Sequence, residues 1–515
     1  MRNNILQPLV FSLILIFGIL FGKILSQFDD NEANFTNNKL DSIIRYIQEN
    51  YVDDFSIEQY EEQILNLIIK ELDPFSNYLS AEEQAYEDEI MRGSFCGIGV
   101  EFLITDDSLV VRSPIVGGPS HKLGIAAGDR IVEVDGENIA SVGIDNEFVF
   151  SKLKGPEGTS VQLKVFRKNS SDLLDFEVIR ERIPIYSVPA SFMLTEGDIG
   201  YIKVNRFSAT TNQEFSTASN SLLSSGMNRL ILDLRGNGGG YLASAIYMCN
   251  EFLNVEKLIV YTEGKNRNKD EYYSDNTGNL KGIKLIVLID EESASASEIV
   301  AGCMQDHDRA IIIGRKSFGK GMVQEEKRLP DGSTLRLTTQ RYHTPSGRCI
   351  QKSESIDEEI VEDSTKYFTS KGKVVYASGG ITPDYSIEND TFYSYQNISK
   401  FLSENLINEF AYDDFINAHI DHKEYFESLE GQEYIFSLFR KYISEKNNIL
   451  YEEGYFFSNK NERKLLIELL TSECIKYFYP DSKSAENATY KLRIGLVNGV
   501  SNDKFVEKSL QVFSQ

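Results

Sequence analysis

The feature that most constrains this chain is a regular alternation of strand-like and helix-like segments between residues 199 and 350. Its clearest strand is IKLIVLID at residues 283–290, whose apolar centre is typical of a strand buried on both faces of a sheet. Amphipathic or small-residue patterns at about 241–253 and in SASEIVAGCMQD predict helices before and after that strand. The alternation therefore predicts an α/β sheet with helical crossovers.

The segments on either side of this region have other patterns. Residues 94–182 contain short alternating runs such as SVQLKVFRK, separated by glycine turns, and they predict a small β-rich module. Helical periodicity precedes the module, and helical segments rich in Phe, Tyr and charge follow the α/β region. The predicted fold class is therefore multidomain α/β, with a helical N-terminal region and a helical C-terminal extension. The predicted boundaries are 1–26 for a signal or anchor segment, then 27–93, 94–182, 183–390 and 391–515.

Charge and composition exclude several classes of protein. The formal net charge is −25 and the pI is about 4.8, which argues against nucleic acid as a partner because phosphate binding needs a basic face. The five cysteines form no C-x-x-C pair and the five histidines form no H-E-x-x-H motif. We therefore expect no metal site.

The N-terminus predicts a membrane-targeting segment. Arg2 precedes an apolar run from Leu9 to Phe21, which is short for a full span, although Ile5 to Leu25 together approach that length. No clear small-x-small cleavage site follows. This favours an uncleaved anchor over a cleaved signal peptide. Under both interpretations the remainder of the chain is extracytoplasmic, at the inner or cell membrane.

The first candidate chemical motif is SASASE at residues 293–298, directly after the buried strand. A serine at a strand-to-helix turn can be exposed at the sheet edge, where the next N–H and the helix N-terminus can stabilise an oxyanion. Small residues are also common helix N-caps, so a purely structural role stays open. The residues alone do not choose between Ser293, Ser295 and Ser297.

The second motif is SFGKGMVQ at residues 317–324, with Lys320 between two glycines. A lysine can act as a general base only if desolvation keeps it neutral, and a plain surface turn is the simpler alternative. Because neither motif includes a histidine, the available arrangement is a Ser–Lys variant of the catalytic triad. Gln324, one helical-type step after Lys320, could accept a hydrogen bond from its amine.

The third motif is LDLRGNGGG at residues 232–240, which predicts a strand ending in a glycine turn that opens a helix. Such turns can present backbone N–H groups to an anion. The motif lacks the P-loop lysine and the dinucleotide-binding spacing, so an oxyanion donor is favoured over a phosphate site. Asp233 and Arg235 are expected to hold the turn.

Together these motifs resemble those of the C-terminal processing peptidases, also called tail-specific proteases, which form serine peptidase family S41 and carry a PDZ domain. The resemblance covers about residues 40–385, and its ordered strings make it highly specific. They are LDPFSNYL, GIGVEF, AAGDRIVEVDGENI, LKGPEG, LDLRGNGGG, SASASEIVAG, SFGKGMVQ, DGSTLRLTTQRYHTPSGRCIQ and GGITPD.

The resemblance implies a role for each matching residue. It places the nucleophile at Ser295, the general base at Lys320 and a supporting glutamine at Gln324. It also implies a crotonase/ClpP-like α/β core and a reaction that requires no metal or organic cofactor.

The resemblance also implies an oxyanion hole. One donor would be the N–H of Ala296. The other would come from the glycine turn, with Gly239 favoured and Gly240 as the alternative.

Residues 94–182 resemble a PDZ domain, a module that adds a substrate's terminal strand to a sheet edge and holds its carboxylate on loop N–H groups. CGIG lies where that loop should be, so Gly97, Ile98 and Gly99 are expected to bind substrate. Lys154 in LKGPEG is basic where the family often has Arg or Lys. Our hypothesis is that it contacts the protease domain and reports occupancy; the alternative is a surface lysine.

The resemblance thus implies a serine endopeptidase that cleaves protein substrates at or near their C-terminal tails through an acyl-enzyme. Expected partners are unfolded or C-terminally exposed proteins, while an adaptor or activator protein and self-association remain open. The alternative is a catalytically silent adaptor that only binds tails. A penicillin-recognising hydrolase is disfavoured because those enzymes use S-x-x-K on one helix, whereas Ser295 and Lys320 lie far apart in sequence.

Overall fold

The structure is a computed structural model that describes most of the chain from residue 39 onwards. The described residues are 39–57, 60–105, 107–167, 170–194, 197–352, 365–377, 379–388, 396–411, 415, 426, 428–446, 460–476, 482–494, 501 and 503–515. The predicted signal or anchor segment, residues 1–26, lies outside them. No helix within these ranges is long and apolar enough to cross a membrane.

The chain divides into two compact units, of which the smaller contains residues up to 80 together with 326–337. Its elements are α1 (Lys39–Asn50), α2 (Glu61–Lys70) and β1 (Asn77–Leu79), and β1 pairs antiparallel with residues 334–336. Helix α2 ends at Lys70, just before the sequence Asp73-Pro74. Asp73 accepts the N–H groups of Phe75 and Ser76, both at 2.8 Å, which forms a turn just beyond α2.

The larger unit contains residues 81–325 and 338–515. It begins with α3 (Ala81–Arg92), which leads into the predicted β-rich module. The module's elements are β2 (Ser94–Gly97), β3 (Val100–Thr105), β4 (Ser108–Pro114), α4 (Pro119–Lys122), β5 (Arg130–Val134), β6 (Glu137–Asn138), α5 (Asn146–Leu153), β7 (Ser160–Phe166), β8 (Leu174–Ile179) and β9 (Glu181–Pro184).

The core of this module is an antiparallel sheet in the order β3-β4-β5-β7-β8. Alternation along β7 buries Val161, Leu163 and Val165 against α5 and the neighbouring strands, as a one-sided sheet requires. The pair β2–β9 closes the module, with Ser94 opposite Pro184. The strands from Ser94 to Pro184 thus form a β-rich module, while the bounds 94–182 stay a prediction.

The α/β region forms a second sheet, in the order β10-β11-β12-β15-β16-β21. From β11 to β21, each strand runs parallel to its neighbour. The residues of the central strands β11 and β12 are all or nearly all buried. The elements are β10 (Ala190–Met193), β11 (Ile199–Lys203), α6 (Thr211–Ser224), β12 (Arg229–Asp233), α7 (Leu242–Phe252), β15 (Lys284–Ile289), α8 (Ala296–Asp306), β16 (Ala310–Gly314) and β21 (Tyr385–Ser386).

The parallel register decides where the three motifs meet. Asp233 at the end of β12 lies opposite Leu288 of β15, and Ile289 at the end of β15 lies opposite Gly314 of β16. The carboxyl ends of the three strands therefore lie side by side, at the edge where open α/β sheets place their active sites.

The remaining strands are β13 (Leu258–Gly264), β14 (Arg267–Tyr273), β17 (Met322–Arg328), β18 (Thr334–His343), β19 (Lys366–Phe368) and β20 (Val374–Tyr376).

The described parts of the C-terminal segment are helical, with α9 (Gln396–Ser403), α10 (Leu406–Phe410), α11 (Leu429–Lys446), α12 (Lys460–Lys476), α13 (Ser482–Ile494) and α14 (Lys504–Phe513). Helices α9 to α12 share an apolar core of their own. By contrast, Phe505 and Val506 of α14 belong to a buried cluster with Tyr201, Ile231 and Leu288 of the parallel sheet. The end of the chain therefore completes one face of the α/β core, which the predicted boundary at 391 did not anticipate.

Candidate active site

Three turns converge at the carboxyl edge of the parallel sheet. The glycine turn follows β12, the serine segment follows β15 and the lysine turn follows β16. The closest approach is between the first two, because a Cβ added to Gly239 would lie 2.8 Å from the Cβ of Ser295 and 3.1 Å from the nitrogen of Ala296. Only glycine fits there, so the glycine turn is shaped to lie directly against Ser295.

The structure distinguishes the three serines that the sequence left open. Ser293 and Ser297 are fully buried, and their hydroxyls donate to the carbonyls of Leu234 and Asn237 at 2.9 and 2.8 Å. Both serines therefore fasten the serine segment to the glycine turn. Ser295 is only half-buried and has φ 55° and ψ −113°, a backbone conformation that residues other than glycine seldom adopt. Strained strand-to-helix turns of this kind hold the nucleophilic serine of several hydrolases.

Two buried side chains hold the serine segment and the lysine turn together. Oε2 of Glu298 accepts the N–H of Ser295 and the N–H of Lys320, each at 2.9 Å. Because both nitrogens bond to one oxygen, they can be no more than 5.8 Å apart, twice that distance. The hydroxyl of Tyr342 reaches the carbonyls of the same two residues, at 3.2 Å for Ser295 and 2.6 Å for Lys320. The backbones of the candidate nucleophile and base are therefore fixed to each other at both ends.

Glu298 has an unusual environment for a carboxylate. Its other oxygen, Oε1, accepts the Ser317 hydroxyl at 2.5 Å and the Gly319 N–H at 2.7 Å. Burial raises the pKa of Glu298 from 4.5 to about 7, and the hydrogen bonds from Ser317, Lys320, Gly319 and Ser295 only partly oppose that rise. The group that joins the two motifs therefore titrates near neutral pH.

The candidate oxyanion donors differ in their availability. Ala296 is the first residue of α8, so its N–H has no acceptor within the helix. The N–H of Gly239 donates to Oδ1 of Asn237 at 2.9 Å, in the local turn that Asn side chains commonly form. The N–H of Gly240 has no acceptor among the described residues. The geometry therefore favours Gly240 over Gly239, the reverse of the predicted preference.

Asp233 and Arg235 hold the glycine turn, as predicted. Burial pushes the pKa of Asp233 upwards, but the charges of Arg235 and Lys203 outweigh it and hold this pKa far below its usual range. Arg235 also pairs at 2.8 Å with Asp503, whose side chain caps α14 by accepting the Phe505 N–H. The C-terminal helix is thus bonded to the base of the turn.

The structure places Lys320 and Gln324 on different elements. Lys320 is half-buried in the turn, and Gln324 lies on strand β17, so the predicted helical step between them is wrong. The segment is extended because it pairs with β18 as a hairpin. The amide nitrogen of Gln324 donates to the Thr338 hydroxyl at 3.2 Å. A contact of Gln324 with the Lys320 amine stays a prediction.

The predicted tail-binding residues line one cavity of about 150 Å³ in the PDZ-like module. Gly97, Ile98 and Gly99 form one side of it, and Lys154 at the end of α5 forms another. The Lys154 amine pairs with Glu89 of α3 at 2.5 Å, and its contact with the protease core stays a prediction. Lys154 follows the last residue of α5, and this position directs it towards α3.

Sequence reasoning missed Glu298 and Tyr342. Glu298 stands three residues after Ser295, the S-x-x-E spacing of a helix capping box, and that signal could have identified it. Tyr342 carries no comparable signal, since it comes from a distant strand and reaches the site only through the hairpin β17–β18.

A strained serine, a lysine fixed beside it and backbone donors at a helix start define the architecture of a serine peptidase core, here joined to a PDZ-like module. Comparison with known proteins agrees: the model of peptidase family S41 matches residues 198–362, and a PDZ domain model matches residues 110–167. The chain belongs to peptidase family S41, whose members are serine-type peptidases.

Individual relatives are named as serine or carboxy-terminal-processing proteases. The chain is 33% identical over 339 residues to the Staphylococcus aureus protein named "Probable CtpA-like serine protease", a match that covers 65% of this chain and 66% of that protein. It is 39% identical over 295 residues to the carboxy-terminal-processing protease of Bartonella bacilliformis, covering 56% and 67%. Among solved structures, the photosystem II D1 C-terminal processing protease has 25% identity and a TM-score of 0.38, covering 68% and 88%.

Proposed function

We propose that this chain is a serine endopeptidase with a Ser295–Lys320 dyad, which binds the C-terminal tails of its protein substrates through the PDZ module. The observation that carries the proposal is the shared hold of Glu298 and Tyr342 on the backbones of Ser295 and Lys320. A purely structural turn has no need to fix a strained, half-exposed serine to a lysine. The parallel sheet with helical crossovers also supports the proposed crotonase/ClpP-like core.

In the proposed reaction, neutral Lys320 takes the proton of the Ser295 hydroxyl as the oxygen attacks the scissile carbonyl. The resulting oxyanion accepts hydrogen bonds from the N–H of Ala296 and from an N–H of the glycine turn. The Gly239 N–H already donates to Asn237, which supports Gly240 as the second donor. Protonated Lys320 then donates its proton to the leaving amine, and the acyl-enzyme forms on Ser295. Lys320 next activates a water, which releases the new carboxylate and regenerates the serine.

The cavity in the PDZ-like module supports tail recognition. Its walls are largely apolar and include the aromatic residues Phe95, Phe102 and Phe150. The N–H groups of Ile98 and Gly99 have no acceptor among the described residues, although both residues are buried. Buried N–H groups are almost always paired, so two open ones beside a cavity fit an incoming carboxylate. We therefore propose tails with a free carboxylate and an apolar terminal side chain.

The test compares two unfolded substrates that differ only in their last residues, one ending in apolar residues and the other in Asp-Asp. The full-length protein in detergent is incubated with each, and mass spectrometry follows cleavage. Burying an unpaired side-chain carboxylate in the cavity costs at least about 1–3 kcal/mol, so we expect the apolar tail to be cut roughly tenfold faster or more. Equal rates would contradict tail selection, and binding without any cleavage would favour the adaptor.

We also propose that the catalytic part is extracytoplasmic and anchored by the N-terminal segment. The support is the apolar run from Leu9 to Phe21, with Arg2 before it. Protease added outside spheroplasts of the source cell should degrade the α/β region without lysis. Protection until the membrane is broken would contradict the proposal.

A further inference from the structure

One wall of the tail cavity comes from outside the PDZ-like sheet. Helix α3 contributes Tyr86, Glu89 and Ile90 to the cavity lining. The ring of Tyr86 stacks on Phe150 of α5, with centroids 5.7 Å apart and an angle of 25° between the planes. Helix α3 therefore forms one side of the groove between α5 and the edge strand β3. A PDZ domain adds a bound peptide strand at such a sheet edge.

The basic side chain of Lys154 in the cavity lining already has a carboxylate partner. The Lys154 amine lies 2.5 Å from Glu89, and both side chains are about three-quarters buried, with 21% and 24% of their surfaces exposed. The same amine lies over the rings of Tyr86 and Phe150, 4.6 and 4.9 Å from their centroids. Such a partly desolvated pair between cation and carboxylate is stronger than one on the surface.

Lys154 also lies next to the proposed carboxylate loop. The N–H of Gly155 donates to the carbonyl of Cys96 at 3.4 Å, which ties the end of α5 to the start of that loop. A tail carboxylate on the open N–H groups of Ile98 and Gly99 would thus lie near the Lys154 amine. Two carboxylates, one from Glu89 and one from the tail, would then depend on the same cation.

We propose that Glu89 is a specificity-determining residue, because its carboxylate competes with the terminal carboxylate of a substrate for Lys154. This inference rests on the proposed tail recognition. It implies that the groove admits only tails whose terminal carboxylate and apolar side chain together outcompete the docked helix. Weakly bound or amidated chain ends leave Glu89 in place.

The other end of α3 lies beside several carboxyl groups. Glu82, in its first turn, shares a hydrogen bond with Glu147 of α5, and this bond and the charge of Glu82 raise the pKa of Glu147. Asp145 and Glu83 add negative charge at the same place. Like charges therefore oppose docking at this end, while the pair of Glu89 with Lys154 favours it at the other.

Two substitutions that each remove one negative charge test the proposal. Glu89→Gln removes the competitor, whereas Glu147→Gln removes a repulsion that opposes docking. Binding is measured by fluorescence anisotropy on the full-length protein carrying Ser295→Ala, with a labelled peptide ending in apolar residues and a free carboxylate. If the competent state is about a tenth of the population, Glu89→Gln should tighten binding roughly tenfold. Glu147→Gln should bind no tighter than its parent.

The same peptide with an amidated end supplies the second comparison, and for it Glu89→Gln should give no gain. Weaker binding by Glu89→Gln would mean that Glu89 positions Lys154 for the tail, and the proposal would be wrong. An equal gain in both variants would reveal only a net-charge effect and would overturn it as well. If neither the parent nor Glu89→Gln binds the free-acid peptide, tail recognition itself fails, an outcome distinct from the other two.

Discussion

A Ser295→Ala variant is expected to cleave the apolar-tailed substrate at least about 10⁴-fold more slowly than the wild type, with a similar KM, because losing the nucleophile of a serine protease costs roughly 10⁴–10⁶ in kcat. The other two serines of the segment cannot replace it. Ser293 and Ser297 are buried, and their hydroxyls are bonded to the glycine turn. Their removal should affect stability before it affects chemistry.

Lys320→Met should have an effect of similar size, and the two changes should not add. Residues that act as one catalytic unit are strongly non-additive, so the double variant should be about as slow as either single variant. Cleavage is followed by mass spectrometry, with thermal unfolding as the check on folding. Ser297→Ala is the matched control, since it removes the same hydroxyl two residues away. If that control lost turnover while Ser295→Ala retained it, the nucleophile would be assigned wrongly.

The motifs and their meeting point could be predicted from sequence because each depends on local chemistry. The strand IKLIVLID is apolar enough to be central, and the chain after a central parallel strand must emerge at the carboxyl edge. Once three such strands are placed side by side, their following turns converge. The sequence alone placed each motif directly after a strand, and the family resemblance brought the three together as one site.

Choices that depend on individual hydrogen bonds could not be made in this way. The local sequence is equally consistent with Ser293, Ser295 or Ser297 as the nucleophile. Only the structure shows that the hydroxyls of Ser293 and Ser297 are hydrogen-bonded to the glycine turn, which leaves Ser295. The choice between Gly239 and Gly240 has a similar basis, since the Asn237 side chain accepts the N–H of Gly239. These contacts depend on side-chain rotamers and not on a periodic pattern.

Contacts between residues far apart in the chain could not be predicted from the sequence either. The partner of Lys154 is Glu89, 65 positions away, on a helix that the sequence placed in a separate N-terminal region. The docking of Phe505 and Val506 on the parallel sheet joins the end of the chain to its middle. Amphipathic helices show which face is apolar but not which surface will cover it.

Glu298→Gln is expected to lower kcat by roughly 10²-fold with little change in KM, because a displacement of about 1 Å at reacting groups can have an effect of that size. The four groups around the carboxylate all donate hydrogen bonds: the hydroxyl of Ser317 and the N–H groups of Ser295, Gly319 and Lys320. A glutamine offers one acceptor oxygen instead of two. The amide nitrogen of the glutamine is itself a donor and would face other donors on one side. The loss of these hydrogen bonds should move the serine segment away from the lysine turn.

The pH dependence of stability gives a second readout that a loss of packing alone would not change. Burial raises the pKa of Glu298 from 4.5 to about 7, so the folded protein retains a proton that the unfolded chain releases between these values. The stability that this group contributes is therefore complete below pH 4.5 and is lost as the pH rises through about 7. The free energy of unfolding should fall over that interval in the wild type and fall less in Glu298→Gln.

Turnover should show the opposite trend. The ionised carboxylate of Glu298 can accept hydrogen bonds from all its donors with both oxygens, whereas the protonated form carries a hydrogen on one oxygen and loses acceptor capacity there. The wild-type kcat should rise through about pH 7, and the Glu298→Gln variant should lose this ionisation from its profile. Glu292→Gln is the matched control, since it changes the same charge on an exposed side chain of the same segment. If both variants kept the wild-type profile and rate, Glu298 would have only a packing role, and the alignment of Ser295 with Lys320 would have to depend on Tyr342.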